Sequence, residues 1–303
     1  MNKSNYTSAS SFPQKLLHNE VVKGGKIKPI HAQIIPTNKC NLNCEFCSCR
    51  DRNKSGEIPI KELKQIFNIL KKHETKAVTI TGGGEPLLYK EINEIINHNN
   101  FQVGLVTNGI LLDNLKKEVF WCRISSSDDR IPAFEAIERA VKRFPKTDWA
   151  FSHVLTEKSN YESLKELVLF ANKHKFTHIR IVPDLFNIDK VDIEKAKEVL
   201  SGIDERVIYQ DRSCSTKGTK DCYISLLKPV ISPEGVFPCC GSQYAITGSK
   251  KEMIGEMRVN KSLDEFLDKQ EPFNGSKCDV CYYQGYNDLL KILKDKPKHI
   301  NFL

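Results

Sequence analysis

The 303-residue sequence predicts an α/β fold with a parallel sheet, followed by a smaller cysteine-rich unit. Short β-branched runs alternate with longer helical patterns from about residue 31 to about residue 200. Stretches rich in Cys, Gly and Ser follow the ends of the first four predicted strands. After about residue 212 the alternation of strand and helix patterns stops, and cysteines become frequent again. Six strand–helix units in this order fit either an open, partial (β/α) barrel or a doubly wound sheet.

Each unit rests on its own pattern. The first helix, 58–73, places Ile60, Leu63, Phe67 and Leu70 on one stripe. Because parallel strands linked by helices bring their carboxyl ends to one edge of the sheet, we expect function at that edge. The predicted strands are 31–37, 76–82, 101–109, 121–125, 149–155 and 177–183. The later helices are 87–98, 132–144, 161–174 and 191–200.

Composition limits the class of protein. Hydrophobic residues make up 40% and charged residues 28%, which is ordinary globular usage. No apolar run reaches the ~18 residues of a membrane span, so we predict a cytoplasmic protein without a membrane partner. Eleven cysteines in a reducing compartment point to metal or catalysis rather than disulfides. The net charge of +8 is read as a lysine-rich surface, because no basic run interleaved with aromatics favours nucleic acid.

We divide the chain into three parts. Residues 1–27 are predicted to be a loose polar arm, 28–212 the barrel, and 213–303 an α+β unit rich in cysteine. Within the last unit, ISLLKPVISPEGVFPCC predicts a β-hairpin with a Ser-Pro-Glu-Gly turn. The short stretch ahead of the barrel leads us to expect no fused leader-binding domain.

The stretch CNLNCEFCSC places Cys40, Cys44 and Cys47 in a C-x3-C-x2-C pattern, with Cys49 two residues further on. Thiolates are soft ligands that suit zinc or iron–sulfur clusters. Three thiolates on a cubane of four irons would leave one iron open, as in a reactive metal site. The alternatives are zinc with Cys49 as fourth ligand, a closed electron-transfer cluster, and buried structural cysteines.

At this point the sequence resembles the radical S-adenosylmethionine enzymes. The triad with an aromatic before its last cysteine, and the lead-in IIPTNKCNLNC, are similar to their signature, and TGGGEP resembles their GGE motif. The resemblance implies that Cys40, Cys44 and Cys47 hold a 4Fe-4S cluster whose fourth iron chelates S-adenosylmethionine. Taken alone, the glycine run could be only a tight turn, and the serines could be helix caps. The cofactor-binding residues that the resemblance implies are Phe46, Gly83, Gly84, Glu85, Asn108, Ser125 and Ser127.

The later cysteines form a second pattern, C-x12-G-x4-C with a distal C-x2-C. It resembles the auxiliary-cluster extension called SPASM, in its shorter Twitch form because no further cysteines follow. The resemblance implies one auxiliary 4Fe-4S cluster on Cys222, Cys240, Cys278 and Cys281. Cys239 could replace Cys240, and a zinc knuckle on the same residues is the alternative.

The resemblance also implies a function. An electron donor such as flavodoxin or ferredoxin would drive reductive cleavage of S-adenosylmethionine to a 5′-deoxyadenosyl radical, which abstracts hydrogen from a substrate. A peptide or protein substrate is favoured over oxidation or rearrangement of a small molecule. The alternative from another class is a non-catalytic iron–sulfur or zinc protein. Cys122, Cys214 and Cys239 are candidate hydrogen donors, against the alternative that they are inert thiols.

Overall fold

The computed structural model describes residues 12–98, 101–127, 133–210, 216–241, 259–276 and 278–295, and backbone only for 259–262. Nine strands lie in these residues: β1 His31–Ile34, β2 Ala77–Ile80, β3 Gln102–Thr107, β4 Trp121–Ser127, β5 Asp148–Leu155, β6 His178–Pro183, β7 Val207–Tyr209, β8 Val230–Ser232 and β9 Gly235–Phe237. The α-helices are α1 Phe12–Leu16, α2 Ile60–Lys72, α3 Ile92–Ile96, α4 Phe134–Arg143, α5 Tyr161–Lys173, α6 Ile193–Val199, α7 Ile224–Leu227, α8 Val259–Lys269 and α9 Gln284–Asp295.

The strands form one open sheet in the order β7-β6-β5-β4-β3-β2-β1-β8-β9. Strands β1 to β7 are parallel and neighbour one another in chain order, as in a barrel that has not closed. The prediction of a partial α/β barrel is therefore confirmed. Local signals explain where the helices start: Asn160 caps α5 by accepting hydrogen bonds from the backbone of Glu162 and Ser163.

The two faces of the sheet differ in chemistry. Side chains alternate between the faces of a strand. One set is buried and apolar under the helices, and it includes Ile34, Ile80, Leu105, Ile124, Phe151 and Ile181. The other set lies on the concave face and is largely polar. There His31 Nε2 lies 2.7 Å from Thr79 Oγ1, and Arg180 contacts Ser152. The helix layer thus supplies the core, and the concave face is left for binding.

The hairpin was predicted correctly, but its place in the sheet was not. β8 and β9 pair around the turn at Pro233 and Glu234. β8 also pairs in parallel with β1, Gln33 opposite Val230, so the hairpin extends the sheet of the barrel. Leu263 and Leu267 of α8 belong to the same hydrophobic core as the barrel strands. The predicted boundary at 212 therefore separates two parts that share a sheet and a core.

Residues 12–27 do not form a loose arm. Phe12, Leu16, Val21 and Ile27 are buried in a second core together with α7 and α9. The ring of Phe12 meets that of Tyr286 edge-on, with centroids 4.7 Å apart. The polar composition of the arm concealed these few apolar anchors. In the described part of the chain, no helix has the length and apolarity needed to cross a bilayer.

Gly104 provides a test of the concave face. A methyl group at Gly104 would overlap the indole ring of Trp121, which lies across it. We expect Gly104→Ala to lower the free energy of unfolding by roughly 1–3 kcal/mol, because overpacking forces neighbours to shift. Denaturant unfolding measures this. Gly285→Ala is the matched control, since nothing lies within 4 Å of the added carbon there, and it should be neutral or slightly stabilising because Ala favours a helix over Gly. Equal stability of the two variants would contradict the close contact.

Candidate functional site

The first three cysteines lie on an irregular loop that begins where β1 ends. Cys40, Cys44 and Cys47 are half-buried, whereas Cys49 is only 9% exposed. The Cys47 amide donates to the Cys44 carbonyl at 3.1 Å, and the Arg50 amide donates to the Cys47 carbonyl at 3.0 Å. These turns make the segment that carries Cys44 and Cys47 compact. The side chain of Cys49, in contrast, is buried.

Arg52 fixes the shape of this loop, and sequence reasoning missed it. Its Nε donates to the Asn38 carbonyl at 2.8 Å and its Nη1 to the Cys49 carbonyl at 2.8 Å. Nη1 also lies 3.8 Å from Cys47 Sγ. An arginine shortly after a cysteine triad is too common a pattern to have been recognised from sequence.

The glycine turn that follows β2 packs directly on the start of the cysteine loop. A methyl group at Gly84 would overlap the Lys39 carbonyl, and one at Gly83 would overlap the amide oxygen of Asn38. The Glu85 amide then donates to the Lys39 carbonyl at 2.8 Å. Glycine is required at position 84 because two backbones approach there without room for a Cβ. The structure therefore brings the two predicted motifs together.

Glu85 is buried, with 2% of its surface exposed, and its carboxylate contacts protein groups. One oxygen accepts from the Leu87 amide at 3.0 Å and from the Thr107 hydroxyl at 2.7 Å. The other accepts from the Asn108 amide at 2.7 Å. Glu85 thus caps the 3-10 helix Pro86–Leu88 and ties the end of β2 to the end of β3. This carboxylate, predicted to contact a cofactor, acts in the structure as a brace.

Asn108 joins the end of β3 to the cysteine loop. Its side-chain amide donates to Asn41 Oδ1 at 2.7 Å, and its own oxygen accepts from the Ile110 amide at 3.0 Å. Asn41 lies between Cys40 and Cys44, so Asn108 orders the same loop that carries the triad. The predicted residue is at the site, where it positions backbone.

The serines at the end of β4 point in two directions. Ser125 and Ser127 share the concave face, whereas Ser126 faces the helices and lies 3.0 Å from His153 Nδ1. Ser127 is fully buried, and its hydroxyl has no hydrogen-bond partner among the described residues. Buried hydroxyls are normally satisfied, so this oxygen is suited to a bound ligand.

A cleft of about 380 Å³ lies beside the triad, between the cysteine loop and the ends of β5 and β6. Cys44 and Phe46 line it from one side, and Lys158 and Asp184 from the other. Arg50 also lines it, with its guanidinium stacked 3.8 Å from the centre of the Phe186 ring. The predicted aromatic before the last cysteine is therefore a wall of the cleft.

The second cysteine set surrounds a small cavity of about 30 Å³ lined by Cys222, Cys239, Cys278 and Cys281. Burial, and then the neighbouring Cys281, raise the pKa of Cys222 to about 12. Cys240, the predicted fourth member, does not line this cavity. Its Sγ lies 2.9 Å from the hydroxyl of Tyr283. Cys239 and Cys240 are adjacent, and adjacent side chains of an extended chain point to opposite sides. Only one of these two thiols therefore faces the cavity, and it is that of Cys239.

The candidate hydrogen donors are placed differently. Cys122 is fully buried under the helices, on the opposite side of β4 from Ser125, and burial raises its pKa. Its position in the core removes it from the concave face, which corrects that prediction. Cys239 lies at the second cavity, and Cys214 lies outside the described residues. The described cysteines form no disulfide.

The fold and the site define an α/β protein with a cysteine loop at the carboxyl edge of an open parallel barrel. Residues 34–131 match the family model described as the radical SAM superfamily. Residues 34–131 of this chain therefore carry a radical SAM domain. Such a domain implies a 4Fe-4S cluster and S-adenosylmethionine. The half-buried triad, the adjoining cleft and the Ser127 hydroxyl, which has no hydrogen-bond partner among the described residues, fit these groups.

Sequence relatives match the barrel. A probable GTP 3′,8-cyclase of Archaeoglobus fulgidus is 34% identical over 107 residues, 34% of this chain and 36% of that protein. The 7-carboxy-7-deazaguanine synthase of Clostridium acetobutylicum is 37% identical over 81 residues, 25% of this chain and 36% of that enzyme. The matched region thus spans about a third of the length of these curated relatives.

Solved structures match over more of the chain. Streptococcus suis SuiB bound to the precursor peptide SuiA has a TM-score of 0.59 at 15% identity, over 88% of this chain and 70% of that one. The protein anSMEcpe, with bound AdoMet and the Cp18Cys peptide, has a TM-score of 0.51 at 16% identity, over 89% of this chain and 85% of that one. At such identities the likeness is one of fold.

The brace at Glu85 can be tested by one change. Glu85→Gln keeps the shape but leaves an amide NH2 facing the donors of Thr107 or Asn108. We expect a loss of ~1–3 kcal/mol in the free energy of unfolding, because a buried donor loses its acceptor. Denaturant unfolding of the metal-free protein measures this. Glu166→Gln, at an exposed position of α5, is the control. A Glu85 variant as stable as that control would show that the carboxylate braces nothing.

Proposed function

We propose that this protein is a radical S-adenosylmethionine enzyme that abstracts hydrogen from a substrate in the cleft beside the triad. The observation that carries the proposal is the packing of the glycine turn on the start of the cysteine loop, whose Cys44 and Phe46 line that cleft. When bound, the cluster and S-adenosylmethionine supply a 5′-deoxyadenosyl radical. The cytoplasm, a reducing compartment, suits a site built from thiolates.

The residues divide into ligands and positioning groups. Cys40, Cys44 and Cys47 would hold the cluster, and Arg52, whose Nη1 lies 3.8 Å from Cys47 Sγ, would hold the shape of the loop. Ser125 and Ser127 lie on the concave face, and their hydroxyls would donate hydrogen bonds to ribose hydroxyls or accept hydrogen bonds from them. The backbone of Gly83 and Gly84 would meet the methionine end, with Phe46 as a wall of the cleft. Glu85 and Asn108 would act through the backbone that they hold.

The alternative from another class is a carrier or scaffold that binds iron–sulfur or zinc without catalysis. Zinc would need Cys49 as a fourth ligand beside the triad. Cys49 is buried and its carbonyl accepts a hydrogen bond from Arg52, whereas the triad cysteines are half-buried and Cys44 lines the cleft. This difference in burial supports three ligands and an open position, the arrangement of a reactive site.

A peptide is the substrate that we favour. The support is the fold likeness to SuiB and anSMEcpe, whose structures contain peptides. A small molecule is the second candidate, because the cyclase and synthase relatives carry small-molecule names. An electron donor such as flavodoxin or ferredoxin would supply the reducing electron in either case.

We further propose an auxiliary iron–sulfur cluster held by Cys222, Cys239, Cys278 and Cys281. All four line one cavity, and an added carbon at Gly275 would lie 3.8 Å from Cys278 Sγ and 3.5 Å from Cys222 Cβ. Four thiolates would close the cluster, which suits electron transfer or structure. Cys240 would stay a thiol beside Tyr283.

Cofactor cleavage tests the main proposal. The anaerobically reconstituted protein, given dithionite and S-adenosylmethionine, should form 5′-deoxyadenosine, and Cys44→Ala should lose this at least tenfold because one cluster ligand is gone. Chromatography of the nucleoside measures both. Cys49→Ala is the matched control and should retain cleavage. Absence of 5′-deoxyadenosine from the iron-loaded wild type would refute the enzyme, and loss in Cys49→Ala would favour four ligands.

Iron content tests the auxiliary site without any activity. In a background with Cys40, Cys44 and Cys47 changed to Ala, the remaining iron reports the second site alone, about four irons per chain for one cluster. Adding Cys239→Ser should abolish most of that iron and its visible absorbance, whereas adding Cys240→Ser should not. The reverse order would restore Cys240 as ligand, and stoichiometric zinc in place of iron would favour a zinc knuckle.

A further inference from the structure

An amide side chain lines the cavity of the second cysteine set. Asn287 of α9 is buried, with 3% of its surface exposed, and it borders this cavity together with Cys222. Its side-chain oxygen accepts a hydrogen bond from the Ile224 amide at 2.9 Å. Its side-chain nitrogen donates to the larger sulfur atom of Cys222 at 3.9 Å. The amide thus connects α9 to the start of α7 and to a cysteine that we propose as a cluster ligand.

The backbone of Ile224 decides which end of this amide faces the sulfur. A backbone N–H can only donate, so the atom of Asn287 that meets it must be the oxygen. The NH2 group, on the other arm of the planar amide, is then directed at Cys222 Sγ. The main chain of Asn287 is held as well, because its amide donates to the Tyr283 carbonyl at 3.0 Å. The surroundings of Asn287 therefore aim its donor at the sulfur.

The strength of a sulfur as an acceptor depends on its charge. A neutral thiol accepts a hydrogen bond weakly, whereas a thiolate accepts one more strongly. Among the described residues, the NH2 group of Asn287 has no other acceptor than Cys222 Sγ. Buried donors are normally satisfied. A buried donor directed at this sulfur therefore fits a sulfur that carries negative charge, as that of a metal-bound cysteine does.

The walls of the cavity strengthen the effect of this one donor. Pro238, Phe273 and Val280 line the same cavity, and Cys222 itself is only 9% exposed. In such surroundings a hydrogen bond is electrostatically stronger than it is in water. Asn287 is thus placed where its NH2 group changes the energy of charge on the sulfur.

We propose that Asn287 donates a hydrogen bond to the Cys222 thiolate of the auxiliary cluster and thereby raises the reduction potential of that cluster. The inference rests on the proposed function, because it takes Cys222 to be a ligand of that cluster. Reduction adds one negative charge that the sulfurs share, so a donor at one sulfur stabilises the reduced form more than the oxidised form. Asn287 acts through the ligand, as a positioning residue. A raised potential makes the cluster a better electron acceptor.

The potential of the auxiliary cluster tests this role without any catalytic activity. The full-length protein with Cys40, Cys44 and Cys47 changed to Ala is reconstituted anaerobically, so that the signal comes from the auxiliary cluster. Redox titration followed by visible absorbance and EPR gives the midpoint potential, and iron is measured in parallel. Asn287→Asp keeps an oxygen for the Ile224 amide but turns a carboxylate oxygen toward the sulfur. We expect the equilibrium constant for reduction to fall at least tenfold, about 59 mV for one electron.

Two further variants separate the hydrogen bond from general effects of charge. Asn287→Ala removes the donor without adding charge, so it should lower the potential in the same direction but less. Asp288→Asn is the matched control, because it exchanges the same two residue types at the next, exposed position of α9. Water and salt screen that charge, so its equilibrium constant for reduction should stay within about twofold of the parent. Circular dichroism checks that each variant is folded.

The outcomes distinguish this inference from the proposed function. Absence of iron from the protein with Asn287 intact would refute the auxiliary cluster and the inference together. Full iron content with unchanged potentials in both Asn287 variants would overturn the role of Asn287 alone. Loss of iron from both variants would also overturn it, because Asn287 would then hold the site together without tuning it. Where one variant keeps its iron, the potential of that variant decides.

Discussion

The site depends on one close backbone contact, the packing of Gly84 on residues 38–39. No side chain fits between these segments, so the turn after β2 and the loop after β1 are held as one unit. The Glu85 carboxylate then accepts a hydrogen bond from the backbone at the end of β3, and the side chain of Asn108 donates one to Asn41 within the cysteine loop. A ligand set on an irregular loop gains the rigidity that a strand would otherwise provide.

Alternation along the strands separates stability from function. The helix-facing side chains form a continuous apolar core that includes Cys122 and Phe151. The concave side chains of the same strands are polar and charged, and include Arg123 and Arg180. A one-residue shift in β4 would exchange these sets and place Arg123 in the core. The register of the strands therefore determines both the apolar core and the polar concave face. The core stabilises the sheet although its concave face is polar.

Local patterns were predictable from sequence, and contacts between distant segments were not. The triad, the glycine turn and the hairpin are each encoded within a few residues, and each lies where the order of strands predicted. The pairing of β8 with β1 joins segments about 200 residues apart, and no local pattern specifies such a partner. The choice between Cys239 and Cys240 depends on which side of the chain faces the cavity. The roles of Arg52, Phe12 and Leu16 could likewise not be predicted, because each depends on contacts that only the fold brings together.

The β8–β9 hairpin links the two cysteine sets physically. Its Glu234 carboxylate accepts a hydrogen bond from the side chain of Asn38, just before Cys40, and is itself held by the Ser232 hydroxyl at 2.7 Å. After β9 the chain reaches Cys239 within two residues. A short, hydrogen-bonded hairpin therefore connects the start of the first cysteine loop with Cys239 of the second set. Because β8 is also a strand of the barrel sheet, the second set cannot move as an independent domain without breaking its pairing with β1. The shared sheet thus ties the chain that leads to Cys239 to the strand that leads to Cys40.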